Sequence, residues 1–142
     1  INYPNNPTGA VAGLANFVFA RLTELVPRER LTALHISGNV VSDVKEYIGI
    51  NYHSRKTTVG RIADFMGYDQ SSIFRKFKRS EGISVQEHLR RKRLQEAERL
   101  LRETDLPVQR VAASVGMEYV PFYRAFMTNR GITPTRFREI SG

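Results

Sequence analysis

Two stretches of this chain carry one framework, displaced by 49 positions. The first runs Ile62-Ala63, Gly67, Ile73, Arg75, Phe77 and Gly82-Ile83-Ser84. The second runs Val111-Ala112, Gly116, Phe122, Arg124, Phe126 and Gly131-Ile132-Thr133. No landmark needs a gap. A fixed internal offset means one supersecondary unit used twice, so the fold must supply two equivalent seats for it. That narrows the architectures open to 142 residues, a length suited to one ordinary domain or two very small ones.

Within each copy the apolar spacing is helical. Thr58 opens a helix with Val59, Ile62 and Met66 on its inner face and Ala63 small where a second helix must approach. Gly67 is a left-handed stop and Asp69 an N-cap for the next helix. That helix buries Ile73 and Phe77, four apart, and leaves Ser71, Ser72, Phe74, Arg75 and Lys78 on its other faces. In the second copy Pro107 replaces Thr58 as the first helical residue, where proline is tolerated. Val108, Val111, Ala112 and Val115 form the inner face, Gly116 the turn, and Phe122 and Phe126 the anchors.

Between the copies, Ser84-Val85-Gln86-Glu87 fits a capping box and opens a helix to about Thr104, with Leu89, Leu94, Ala97, Leu100 and Leu101 inward. At ~1.5 Å per residue it spans roughly 30 Å, close to the ~34 Å between adjacent turns of a DNA major groove. Thr133-Pro134 starts a short last helix through Phe137 and Ile140. Upstream, Ser42 opens a helix to about His53, and residues 28–41 read as loop or turn. Over residues 10–26, Val11, Leu14, Val18, Leu22 and Leu25 mark an amphipathic helix ended by Pro27. No strand pattern appears, so the expected fold is all-α.

The chain carries 22 Lys and Arg against 14 Asp and Glu, a net charge of +8. Residues 1–41 hold Arg21, Arg28 and Arg30 against Glu24 and Glu29, so all but one of these net charges fall in residues 42–142. Basic excess inside folded-domain patterns points to a polyanion, nucleic acid before membrane. No apolar run approaches the ~18 residues of a membrane span, and no secretory signal is visible. Cysteine is absent, which excludes thiolate catalysis and Cys-type zinc fingers and fits a reducing cytoplasm; a nucleic-acid partner would make the chain nucleoid-associated there. His35, His53 and His88 show no ligand or base–nucleophile spacing, so neither catalysis nor a cofactor is expected. Ile1 in place of Met suggests a fragment or processed chain.

Each repeat has the spacing of a helix-turn-helix, whose second helix lies in the major groove with its early residues facing bases. In the first copy the candidate readers are Gln70, Ser71, Phe74 and Arg75. Arginine can fork onto guanine and glutamine onto adenine, while Lys76, Lys78 and Arg79 suit phosphates. In the second copy the equivalents are Tyr119, Val120, Tyr123 and Arg124, a more apolar set expected to meet methyl groups and phosphate. Arg90, Arg91 and Arg93 read as the solvated face of the linker helix, and His53 or Arg55 as a phosphate contact. Arg75-Lys76-Phe77-Lys78-Arg79 also contains Arg-x-x-x-Arg, a pattern met in cyclic-dinucleotide binders, so a ligand-sensing or protein-binding helical module is the alternative.

Thr58 to Glu139, with the helix before it, resembles the DNA-binding domain of the AraC/XylS family of bacterial transcription regulators. The marks are Ile62-Ala63 to Gly67, Phe74-Arg75-Lys76-Phe77-Lys78, Arg91-Lys92-Arg93-Leu94, Ala97, Leu100-Leu101, Val111 to Gly116, Phe126 and Gly131-Ile132-Thr133-Pro134-Thr135-Arg136-Phe137-Arg138. The resemblance implies seven helices, two helix-turn-helix units on a shared linker helix, and binding to adjacent major grooves of double-stranded promoter DNA. It also implies activation through RNA polymerase and a separate effector or dimerisation domain, the small-molecule effector being unknown. The expected layout is a lead-in over 1–41 with a connector or homodimer helix at 10–26, then a domain over 42–142. Within it the units lie at about 58–79 and 107–130 and the linker at about 84–104. Two departures stand out: Lys76, where the family often has leucine, and Tyr119-Val120-Pro121, where proline removes a donor in the first turn of the second reading helix.

Overall fold

Side-chain acceptors set the helix starts. In the computed structural model, which describes residues 37–142, seven α-helices follow one another with no strand among the described residues. The expected helix at 10–26 and most of the lead-in lie outside the described residues. α1 (Val40–Asn51) starts two residues before Ser42, because the Asn39 side chain accepts from the Ser42 amide. It also ends at Asn51, short of the expected His53. Thr58 caps α2 (Val59–Met66), Asp69 caps α3 (Gln70–Glu81), Ser84 caps α4 (Val85–Glu103) and Thr133 caps α7 (Pro134–Ser141) in the same way. Each such cap stabilises its helix by about 1 kcal/mol. Pro107 precedes α5 (Val108–Ser114) and Glu118 precedes α6 (Tyr119–Arg130), both without a side-chain cap bond. Thr58 and Pro107 therefore stand just outside their helices, on extended backbone, rather than as first helical residues. The capping box forms only by half. Ser84 accepts from the Glu87 amide at 3.1 Å, while the Glu87 carboxylate turns to Arg90 and Arg91.

The repeat is larger than the helix-turn-helix. One core gathers Val44, Ile48, Ile62, Ile73, Phe77, Val85 and Leu89, and the other Leu94, Ala97, Leu101, Val111, Phe122, Phe126 and Phe137. The first turns of α4 thus close the first unit, and the rest of α4 takes in the second unit the place α1 has in the first. α7 supplies the second closure. Its Phe137 meets Phe126 edge-on at 5.4 Å, as His88 of α4 meets Phe77 at 5.3 Å, and both members of these pairs are 49 positions apart. Burying side chains of this kind contributes roughly 1.5–3 kcal/mol each, so the shared helix carries a closing face for both units. With 19 residues it measures about 28 Å.

Candidate nucleic-acid interface

Burial of Ile73 and Phe77 on one side of α3 fixes what the other sides show. Ser71, Arg75, Lys76 and Arg79 are exposed, and Phe74 is 39% exposed, a large fraction for an aromatic ring. The three cations have no ion-pair partner among the described residues. The one acid of α3, Glu81, is drawn back to Lys45 of α1 at 2.9 Å, so the outer face stays uniformly positive. Gln70 is exposed at the start of α3 and lines a hollow of about 420 Å³ with Thr57, Val59 and Val85. Lys78 differs from its neighbours: its ammonium donates to the Gly82 carbonyl at 3.1 Å, satisfying the C-terminal end of the helix. Lys76 stays outside the core, so the first unit packs without a leucine at that place.

On α6 the equivalent face is apolar. Tyr119 is 38% and Val120 54% exposed, Arg124 is exposed and Tyr123 half-buried, and the four line a shallow hollow of about 350 Å³. The Tyr119 and Tyr123 rings lie 6.0 Å apart. Pro121 does not shorten this helix, which has twelve residues like α3. The first amides of a helix have no intrahelical acceptor, and the ladder begins beyond the proline with Phe122 donating to Glu118 at 3.0 Å. What Pro121 removes is the cap. In α3 the Ser72 amide donates to Asp69 at 3.0 Å; Pro121, 49 positions on, has no amide hydrogen. The Glu118 carboxylate is thereby left to pair with Arg55 from the loop after α1.

Arg93 departs from the expected solvated face. Arg90 and Arg91 are exposed, but Arg93 is half-buried, donating from Nε to the Tyr52 carbonyl and from Nη2 to the Ser54 carbonyl, each at 2.8 Å. Burial lowers its pKa. Its register was the available signal, four after Leu89 and four before Ala97 on the inward stripe. Glu98 is a second buried charge without an obvious pattern. At 6% exposure it accepts from Arg130 Nε at 2.6 Å, with a second bond from Nη2, tying the end of α6 to α4. Arg55 is paired with Glu118, and His53 is a half-buried member of the loop that follows α1.

Two histidines make stability depend on pH. Burial lowers the pKa of His53, with the Arg93 charge adding to it against an opposing Ile50 carbonyl. Burial also lowers that of His88, helped by Lys45, Arg91 and Lys92 and opposed by Glu81. A depressed histidine is neutral in the folded chain, so its full stability holds above the ordinary value of 6.5 and is lost as pH falls through that value toward the folded pKa. Thermal melts from pH 8 to pH 5 should show this loss, and His88→Phe, which copies Phe137, should reduce it. Parallel melting curves for wild type and variant would remove His88 as a cause.

Among the described residues no acid, histidine and cysteine cluster could hold a metal ion, and no helix is long and apolar enough to cross a membrane. Two helix-turn-helix units built on one shared helix, each turning a reading helix outward, define a double-headed DNA-binding domain. The helix-turn-helix domain family model matches residues 62–140. The probable transcription factor PqrA of Proteus vulgaris is 30% identical over 103 residues, covering 71% of this chain and 84% of its own. A probable AraC family transcriptional regulator from Rhodopseudomonas palustris CGA009 superposes with a TM-score of 0.64 at 31% identity, covering 72% of this chain and 97% of that one. The C-terminal domain of AraT, a response regulator from Geobacillus stearothermophilus, gives a TM-score of 0.69 at 27% identity over 71% of this chain and 84% of its own. The chain belongs to the AraC family of helix-turn-helix DNA-binding transcription regulators. It spans about half of two longer curated relatives, 46% and 52% of their lengths.

Proposed function

We propose that this chain recognises a bipartite promoter site, laying α3 and α6 into adjacent major grooves, and regulates transcription from it. The repeat carries this reading: two twelve-residue helices with equivalent anchors project from opposite halves of one 19-residue helix. In the first head Gln70, Ser71, Phe74 and Arg75 face bases and Arg79 a phosphate, Lys78 being partly committed to its own helix end. In the second, Tyr119, Val120 and Tyr123 meet thymine methyl groups and Arg124 a guanine or a phosphate. The chain acts as a DNA-binding module rather than an enzyme, in the bacterial cytoplasm, and activates through contact with RNA polymerase. Residues 10–26 would join two copies where a dimer forms. The cyclic-dinucleotide alternative has only the spacing of Arg75 and Arg79, which an exposed basic helix explains equally well.

Selection from random duplexes of about 30 base pairs at near-physiological salt tests the reading. Two enriched blocks about 10–10.5 base pairs apart are expected; retention without enrichment that collapses with salt would leave only phosphate-driven binding. On the selected duplex Arg75→Ala should cost about 1–3 kcal/mol and relax preference at one base pair, whereas Arg79→Ala should weaken all sequences alike and lower the salt slope by about 1. Binding titrations at several salt concentrations separate the two behaviours. Equal loss on every sequence for both variants would contradict the assignment of Arg75 to a base.

A further inference from the structure

We infer that the Tyr52–Ser54 loop is a clasp that fixes the angular phase between the two reading heads, with Arg93, Gly116 and Arg55 as its positioning residues. The inference rests on the double-headed reading above for its consequence, but its geometry stands alone.

Phase matters because DNA turns through a full circle in about 10–10.5 base pairs, so an error of one base pair rotates a groove by roughly 35°. α4 by itself is one connection between the heads, and a single helix of this length can bend. A second contact away from its axis removes that freedom. The loop after α1 provides it at four points. Arg93 of α4 forks onto the Tyr52 and Ser54 carbonyls at 2.8 Å each. Tyr52 packs against both cores, with the Lys92 ammonium 5.4 Å from its ring centre. Gly116, in the turn of the second unit, lies so close that a Cβ there would stand 2.8 Å from both the Tyr52 and His53 carbonyl oxygens. Arg55 reaches Glu118 at the start of α6, a carboxylate left without a capping role by Pro121.

The comparison between copies sharpens the point. Gly67, the equivalent turn glycine of the first unit, has nothing within 4 Å of a Cβ position. The second turn is therefore the one pressed against a foreign loop. One element of the first unit is held by the linker, the turn and the reading-helix start of the second.

The chain has no cysteine, so Ser80→Cys and Asn129→Cys, exposed equivalents 49 positions apart near the ends of α3 and α6, accept spin labels without background. Pulsed electron–electron double resonance on the labelled, DNA-free chain should give one narrow distance. Arg93→Ala should broaden or split it while circular dichroism still reports a folded helical chain. Where the alanine variant does not fold, Arg93→Lys combined with Arg55→Ala leaves one donor group for two carbonyls, and the same broadening is expected. An unchanged distribution in a folded variant overturns the clasp. In the duplex selection, the clasp variants should retain both sequence blocks but accept neighbouring spacings that wild type rejects; wild-type spacing in a folded variant also overturns it. If no two-block site emerges for wild type, the functional reading fails, and the distance measurement still decides the clasp.

Discussion

Replacing Gly116 with alanine is expected to lower unfolding stability by about 3 kcal/mol, through strain and overpacking together. The backbone there has φ +80, and an added Cβ would lie 2.8 Å from the carbonyl oxygens of Tyr52 and His53 and 2.9 Å from the His53 carbonyl carbon. Those atoms are backbone, and Arg93 already holds two of the loop's carbonyls, so the neighbour cannot step aside cheaply. Gly67→Ala is the internal control. It has φ +72 and open space around a Cβ position, so it should show only the left-handed strain, about 1–2 kcal/mol. Urea denaturation of both variants measures the difference. Equal losses would mean that the loop does not press on the second turn.

Arg130→Ala is expected to cost about 2 kcal/mol. Removing one partner of a fully buried ion pair costs about 3–5 kcal/mol, because the remaining charge is left without compensation. Glu98 is the buried member, its side chain only 9% exposed, whereas the Arg130 side chain is 45% exposed. Water therefore reaches the pair from one side, and the expected loss is reduced accordingly. Arg130 also stacks 5.6 Å from the Phe137 ring centre, so part of the loss is packing. Adding Glu98→Gln should recover a share of the stability by removing the orphaned charge, which a double-mutant cycle measures directly. A double variant no more stable than Arg130→Ala would show that the loss is packing alone. In the first unit Glu81, 49 positions before Arg130, pairs with Lys45 of α1, a tie of reversed charge that starts one turn before Gly49, the equivalent of Glu98.

The helix-turn-helix units and the linker were legible because periodic burial and turn chemistry act over a few residues. Ile73 and Phe77, Phe122 and Phe126, and the glycines that end α2, α3 and α6 all declare themselves within one or two turns of chain. The caps were legible in kind, yet Asn39 outcompeted Ser42 by supplying an acceptor closer to the first apolar residue of α1. Pro121 acts as its missing donor implies: it falls among amides that have no helical acceptor, so only the cap is lost, and the effect passes to Glu118. The exposed reading face followed from burial on the opposite side of α3 and α6. The inward register of Arg93 was legible, but the partners of Arg93, Glu98 and Arg130 were not, because they lie 41, 39 and 32 positions away, and no local rule links a helix arginine to a distant carbonyl. Long-range polar pairing is set by how the two units dock, which sequence periodicity does not encode.

The most direct test of two-headed recognition is methylation interference on the selected duplex. A methyl group on guanine N7 occupies the major groove, where each base pair presents its distinguishing edge. Modification should block binding in two short blocks about 10–10.5 base pairs apart on one face of the helix. Interference confined to one block, or spread evenly along the duplex, would contradict the account.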